Sequence, residues 1–106
     1  MATYSNNVTT KVGININQRG FNGVEFSYTV PSGSYLVLSQ YYIYNGGGAA
    51  ILTINYPTTA LSETYTTDGM YDLTPNRTFG PGTVLSSATG ASSFVEINGY
   101  LITNTP

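Results

Sequence analysis

Three carboxylates crowd the middle of the chain: Glu63, then Asp68 and Asp72 on either side of Gly69-Met70-Tyr71. Paired carboxylates cleave glycosidic bonds when one protonates the leaving oxygen and the other acts as base or nucleophile across a fixed gap. Carboxylate oxygens also suit calcium, yet this stretch lacks the alternating Asp/Asn ligands and closing glutamate of an EF-hand loop. Asp68-Gly69 reads better as an ordinary hairpin turn. Other familiar chemistry lacks its parts. The 106 residues contain no histidine and no cysteine, which removes Ser-His-Asp triads, thiol nucleophiles, zinc thiolate sites and disulfides. A Ser-Lys dyad would have to recruit Lys11, the sole lysine, and Gly46-Gly47-Gly48 leads into alanines where a phosphate-binding loop needs Lys. The reading is a non-enzymatic chain with no catalytic, metal or cofactor-binding residues.

Binding chemistry is better supplied. Ten tyrosines each offer a flat ring and a hydroxyl, the combination favoured at protein interfaces and against sugar rings. Tyrosine is also a preferred strand residue, so packing within the fold competes with recognition as the explanation. Tyr42, Tyr44, Tyr71 and the acids Asp68 and Asp72 form the candidate set for contact with a glycan.

Charge is sparse, with three Lys/Arg against five Asp/Glu and a formal net charge of −2. So few cations cannot neutralise a run of phosphates, and no nucleic-acid partner is expected. Weak net charge does little to keep copies apart and suits a protein built into an assembly. The opening residues show neither the basic nor the apolar region of a secretion signal, and the longest mostly apolar stretch, 35–44, is broken by Ser39 and Gln40. The expectation is synthesis in the cytoplasm without membrane contact. Asn7-Val8-Thr9 and Asn76-Arg77-Thr78 match the N-glycosylation pattern, as an Asn/Thr-rich chain does by chance, and are expected to be unused.

Period-2 alternation, rather than helical spacing, recurs from end to end. Val12, Ile14 and Ile16 alternate with polar neighbours, as do Val24, Phe26, Tyr28 and Val30. Residues 35–44 are apolar or aromatic on both faces, the mark of a central strand covered on both sides by a second sheet or a neighbouring subunit. Further strands follow over 50–56, 61–66, 70–73, 83–87 and 93–103. Val30-Pro31-Ser32-Gly33 and Phe79-Gly80-Pro81-Gly82 mark turns in which proline fixes φ and glycine permits a positive one before the next strand. The fold class is all-β: one antiparallel sandwich of about eight strands, of jelly-roll type, over 11–106, with 1–10 as an N-terminal arm or edge segment. Candidate interface residues are Tyr35, Tyr41, Ile43, Phe94 and Tyr100, which add a second apolar face to their strands.

Several segments carry a resemblance. The opening Met1-Ala-Thr-Tyr-Ser-Asn-Asn-Val-Thr-Thr-Lys-Val12, the turn in Thr29-Val-Pro-Ser-Gly-Ser-Tyr-Leu-Val37, the turn Phe79-Gly-Pro-Gly-Thr-Val84 and the closing Val95-Glu-Ile-Asn-Gly-Tyr-Leu-Ile102 resemble segments of small bacteriophage structural proteins. Members of that group are β-sandwich or jelly-roll domains that decorate phage heads or form fibre knobs, commonly as trimers. The resemblance implies a virion decoration (cement) or knob protein that self-associates as a homotrimer and binds the major capsid protein or another virion protein, without catalysis. It leaves open the alternative of a lectin-like fibre tip that attaches to a host glycan. No catalytic residue belongs to the pattern.

Overall fold

The computed structural model describes residues 11–58 and 61–104, and the expected N-terminal arm, 1–10, lies outside the described residues. Eight strands follow in order: β1 (Lys11–Phe21), β2 (Ser27–Thr29), β3 (Ser34–Tyr44), β4 (Ala50–Asn55), β5 (Ser62–Tyr65), β6 (Gly69–Phe79), β7 (Val84–Thr89) and β8 (Phe94–Asn104). All eight stand where alternation places them, although β6 runs well past residue 73: Thr74, Pro75 and Asn76 interrupt its apolar pattern, and pairing with β3 resumes at Arg77.

Two four-stranded antiparallel sheets form, sheet A in the order β1-β8-β3-β6 and sheet B in the order β2-β7-β4-β5. The chain changes sheet at every connection except the β4–β5 hairpin, which gives the double Greek-key path of a jelly roll. The Asp68-Gly69 turn expected to close a hairpin instead sits on a crossing from β5 in sheet B to β6 in sheet A. Gly33 and Gly82 adopt φ of 81° and 86°, the left-handed conformation that the two Pro/Gly turns require.

Between the sheets lies one apolar core. Leu36, Leu38, Ile43, Val95 and Ile97 of sheet A meet Ala50, Leu52, Ile54 and Leu85 of sheet B, with Phe26 and Val30 filling one end. Alternation along each strand produces this by sending every second side chain inward. The other alternates make two outer faces. Ser27, Ser86, Thr53 and Thr64 stand in register across sheet B, whereas sheet A carries rings, carboxamides and charges.

Strand β3 breaks parity once. Leu38 pairs with Gly99 and Gln40 with Asn98, so Ser39 is an extra residue opposite β8, and its hydroxyl donates to the Asn98 carbonyl at 3.0 Å. On the other side Leu38 pairs with Arg77 and Gln40 with Asp72, so residues 73–76 of β6 bow out opposite Ser39. Such a bulge reverses which alternates face the core. Gly99 lies against it: a Cβ there would come within 2.2 Å of the Val37 carbonyl oxygen.

Candidate functional site

The outer face of sheet A is ordered in rows by strand register. Asn17, Asn98, Gln40 and Asp72 form one row, Arg19, Glu96, Tyr42 and Met70 the next, and Phe21, Phe94 and Tyr44 the last. Hydrogen bonds cross all four strands of the first row. Asn17 Nδ2 donates to Asn98 Oδ1 at 2.6 Å and Glu96 Oε2 at 2.7 Å. Asn98 Nδ2 donates to Gln40 Oε1 at 3.2 Å, and Gln40 Nε2 to Asp72 Oδ1 at 2.9 Å. Beside this ladder, the Phe94 ring lies 4.8 Å from Tyr42 and 5.5 Å from Tyr44, with the Arg19 guanidinium 4.6 Å from its centroid. Phe21, Tyr44 and Met70 leave 48%, 44% and 58% of their surface exposed, a clustering that monomeric surfaces usually avoid.

A second polar cluster closes the flank where edge strands β5 and β6 meet. Register places Glu63 beside Ile54 on the inward side of sheet B and Arg77 beside Leu38 on the inward side of sheet A, so each charge needs a partner across the gap. Arg77 Nη1 donates to Glu63 Oε1 at 2.7 Å and to Tyr65 Oη at 2.9 Å, while Nη2 donates to Tyr56 Oη at 2.8 Å. The Tyr56 and Tyr65 hydroxyls donate in turn to Glu63 at 2.9 and 2.5 Å. Hydrogen bonds from Arg77, then from Tyr65, hold the Glu63 carboxyl down at about 2. Burial first, then the bond to Glu63, raises both tyrosine hydroxyls above their ordinary value.

Next to this pair opens a cleft of about 320 Å³, walled by Tyr41, Tyr65 and Tyr71 with Ile43. Thr64, Thr66 and Thr67 complete its lining. Tyr41 sits 4.8 Å from Tyr71, nearly stacked, and 5.3 Å from Tyr65. The adjoining loop is clamped from below: the Asn45 backbone N–H donates to Asp68 Oδ1 at 2.7 Å, and Asn45 Nδ2 donates to the same oxygen and to the Thr66 carbonyl. Tyr71 Oη donates to the Thr67 and Asp68 carbonyls at 3.0 and 2.9 Å.

These placements sort the residues singled out in the sequence. Of the interface candidates, Tyr35, Phe94 and Tyr100 stand on the outer face of sheet A, but the bulge at Ser39 turns Tyr41 and Ile43 inward, and Ile43 is fully buried. On the outer face of β3, Tyr35 and Tyr44 are exposed, Gln40 and Tyr42 are half-buried and Val37 is buried. The glycan candidates divide between two surfaces. Tyr42, Tyr44 and Asp72 belong to the outer face, and Tyr71 lines the cleft above the Asp68 clamp. The three carboxylates do not converge. Glu63 is ion-paired and held ionised, Asp68 pins a loop, and Asp72 ends the ladder. A general acid must carry its proton near the working pH, which Glu63 does not. Arg77 escaped sequence reading, because nothing local pairs residue 77 with residue 63.

Neither a protein-family model nor a curated protein sequence matches the chain. Solved structures do. A subunit of Bacillus endospore appendages, described as a family of disulfide-linked pili, superposes with a TM-score of 0.61 at 14% identity over 100% of this chain and 98% of its own. The core of Drosophila NLP, described in terms of pentamer formation and histone binding, gives 0.56 at 14% identity over 85% of this chain and 97% of its own. At such identity the likeness defines a shared sandwich fold. One difference is chemical: with no cysteine, this chain cannot make the disulfide links of those pili.

Proposed function

We propose that this protein is a non-catalytic structural subunit that associates with copies of itself through the outer face of sheet A. The observation that carries the reading is the cluster of exposed Phe21, Tyr44 and Met70 with half-buried Tyr42 and Phe94 around Arg19, on a face that also holds a cross-strand polar ladder. Rings and an arginine with hydrogen-bonding groups beside them are the composition of interface cores. Four strands about 4.8 Å apart and each about 36 Å long present roughly 700 Å², close to the ~800 Å² per partner of a specific interface. Association uses no disulfide, since the chain has no cysteine.

The finer assignment is a bacteriophage decoration or knob protein, present as a trimer on the virion and seated on a capsid or other virion protein. It rests on the resemblance of the Pro/Gly turns and the closing strand, and both structural neighbours, one a pilus subunit and the other described by its pentamer, are compatible with an assembling sandwich. Light scattering at micromolar concentration tests the coarser claim. The expected mass is a multiple of 11.3 kDa, three chains in the trimeric reading, and Phe94→Ser with Tyr44→Ser returns it to one. A monomeric wild-type protein overturns self-association. Electron microscopy of purified particles then locates the chain on the head, the tail fibre or neither.

A further inference from the structure

The cleft between β3, β5 and β6 has a chemistry of its own, and the geometry points to a binding site for a neutral saccharide. Its size, about 320 Å³, lies at the small end of ligand pockets and suits one or two sugar rings. Tyr41, Tyr65 and Tyr71 supply aromatic surface of the kind that packs against the C–H face of a pyranose. Thr66 and Thr67 bring hydroxyls, which donate and accept as sugar hydroxyls do.

Charge argues for a neutral ligand. The ionised pair beside the cleft, Glu63 and Arg77, is already engaged with itself and with Tyr56 and Tyr65, and the described residues that line the cleft include no cation to attract an anion. The aromatic walls are also held in place before any ligand arrives. Tyr65 is tied to Glu63 and Arg77, Tyr71 to the Thr67 and Asp68 carbonyls, and the loop between them to Asn45. A preformed site spares the ligand the cost of ordering side chains and loop, which is what allows a small polar molecule to bind at all.

Only Tyr71 and the Asp68 clamp of this region belong to the tyrosine and acid set singled out in the sequence. Tyr41, Tyr65 and the threonines come together through the fold. The site is separate from the proposed association face, and either can fail without the other.

Titration of isotope-labelled protein with methyl glucoside, methyl galactoside, N-acetylglucosamine and their β1,4-linked trimers, each to about 50 mM, tests the assignment by NMR, at the millimolar affinity expected of a single small subsite. Saturable shifts confined to residues 64–67, Tyr41 and Tyr71 with at least one of these sugars are expected. Tyr41→Ala is expected to weaken that binding at least tenfold, and Thr67→Val, which leaves the aromatic packing intact, several-fold. Thr53→Ala on the outer face of sheet B is expected to leave it unchanged. No shift with any of the six sugars overturns the proposal. So do shifts that map to the outer face of sheet A, or a cleft that responds to a proline-rich peptide and not to sugar.

Discussion

Tyr41 and Tyr42 are neighbours in sequence and work on opposite sides of the molecule. Tyr42 stands on the outer face of sheet A against Phe94, while Tyr41 faces inward and walls the cleft with Tyr65 and Tyr71. One short stretch of β3 thus furnishes both candidate surfaces, with Gln40, Tyr42 and Tyr44 supplying the first and Tyr41 and Ile43 the second. Alternation alone creates the division. Which tyrosine goes where is decided upstream, by the extra residue at Ser39.

Adding one more residue just after it is therefore the severest way to break the comparison. Insertion of an alanine after Gln40 moves Tyr42 and Tyr44 to inward positions and Ile43 to an outward one, unless the register with both neighbours slips. A one-residue slip inverts every side chain beyond it. The cost is expected to exceed the ~5 kcal/mol that a domain of this size has to spare, and circular dichroism is expected to show an unfolded chain. A folded variant with a normal thermal transition shows that the bulge can widen to absorb the added residue and that parity is not fixed by Ser39 alone.

The same bulge explains what was legible in the sequence. The existence of eight strands, their turns and the sandwich class follow from period-2 alternation and from Pro/Gly turns, which are local signals. A bulge leaves no such mark in a run as uniformly apolar and aromatic as residues 35–44, where either parity looks acceptable. Uninterrupted alternation over that run puts Tyr41 and Ile43 on the same face as Tyr35. Likewise the Asp68-Gly69 pair has hairpin chemistry, and only the strand order, a long-range property, shows that the chain there crosses between sheets. The Glu63–Arg77 pair is legible only once β5 and β6 are known to share a flank.

Next in size are changes to that flank, where the two surfaces differ in how much the fold relies on their polar groups. Arg77→Met leaves the Glu63 carboxylate with two tyrosine donors and no counter-charge. Both side chains are 36% exposed, so solvent screening reduces the loss well below that of a deeply buried pair, to about 1–2 kcal/mol. The dependence on pH has a definite sign. Arg77 and the tyrosines depress the Glu63 carboxyl to about 2 in the folded protein, against about 4.3 in an unfolded chain. The pair's contribution is therefore fully present above about pH 4.3 and is lost as pH falls toward 2. Thermal melts at several pH values are expected to show a gap between wild type and Arg77→Met that is constant near neutrality and closes through that acid window. A gap that stays constant down to pH 2 means that Met disturbs packing and that the ion pair contributes little.

The smallest effect is expected on the outer ladder, and it sharpens the contrast most. Asp72 ends a row of hydrogen bonds that is longer than the Glu63 cluster and just as continuous, yet it is exposed and its bond to Gln40 competes with water. Asp72→Asn keeps an oxygen that accepts from Gln40 and removes only charge. Stability by chemical denaturation is expected to change by less than about 0.5 kcal/mol, the usual range for an exposed substitution. Saccharide shifts in the cleft are expected to stay as they are. A loss above about 1 kcal/mol makes the ladder a structural element of sheet A. A null result leaves it as what its exposure suggests: a row of polar groups held in fixed positions by strand register, ordered before any partner arrives and therefore suited to meeting one.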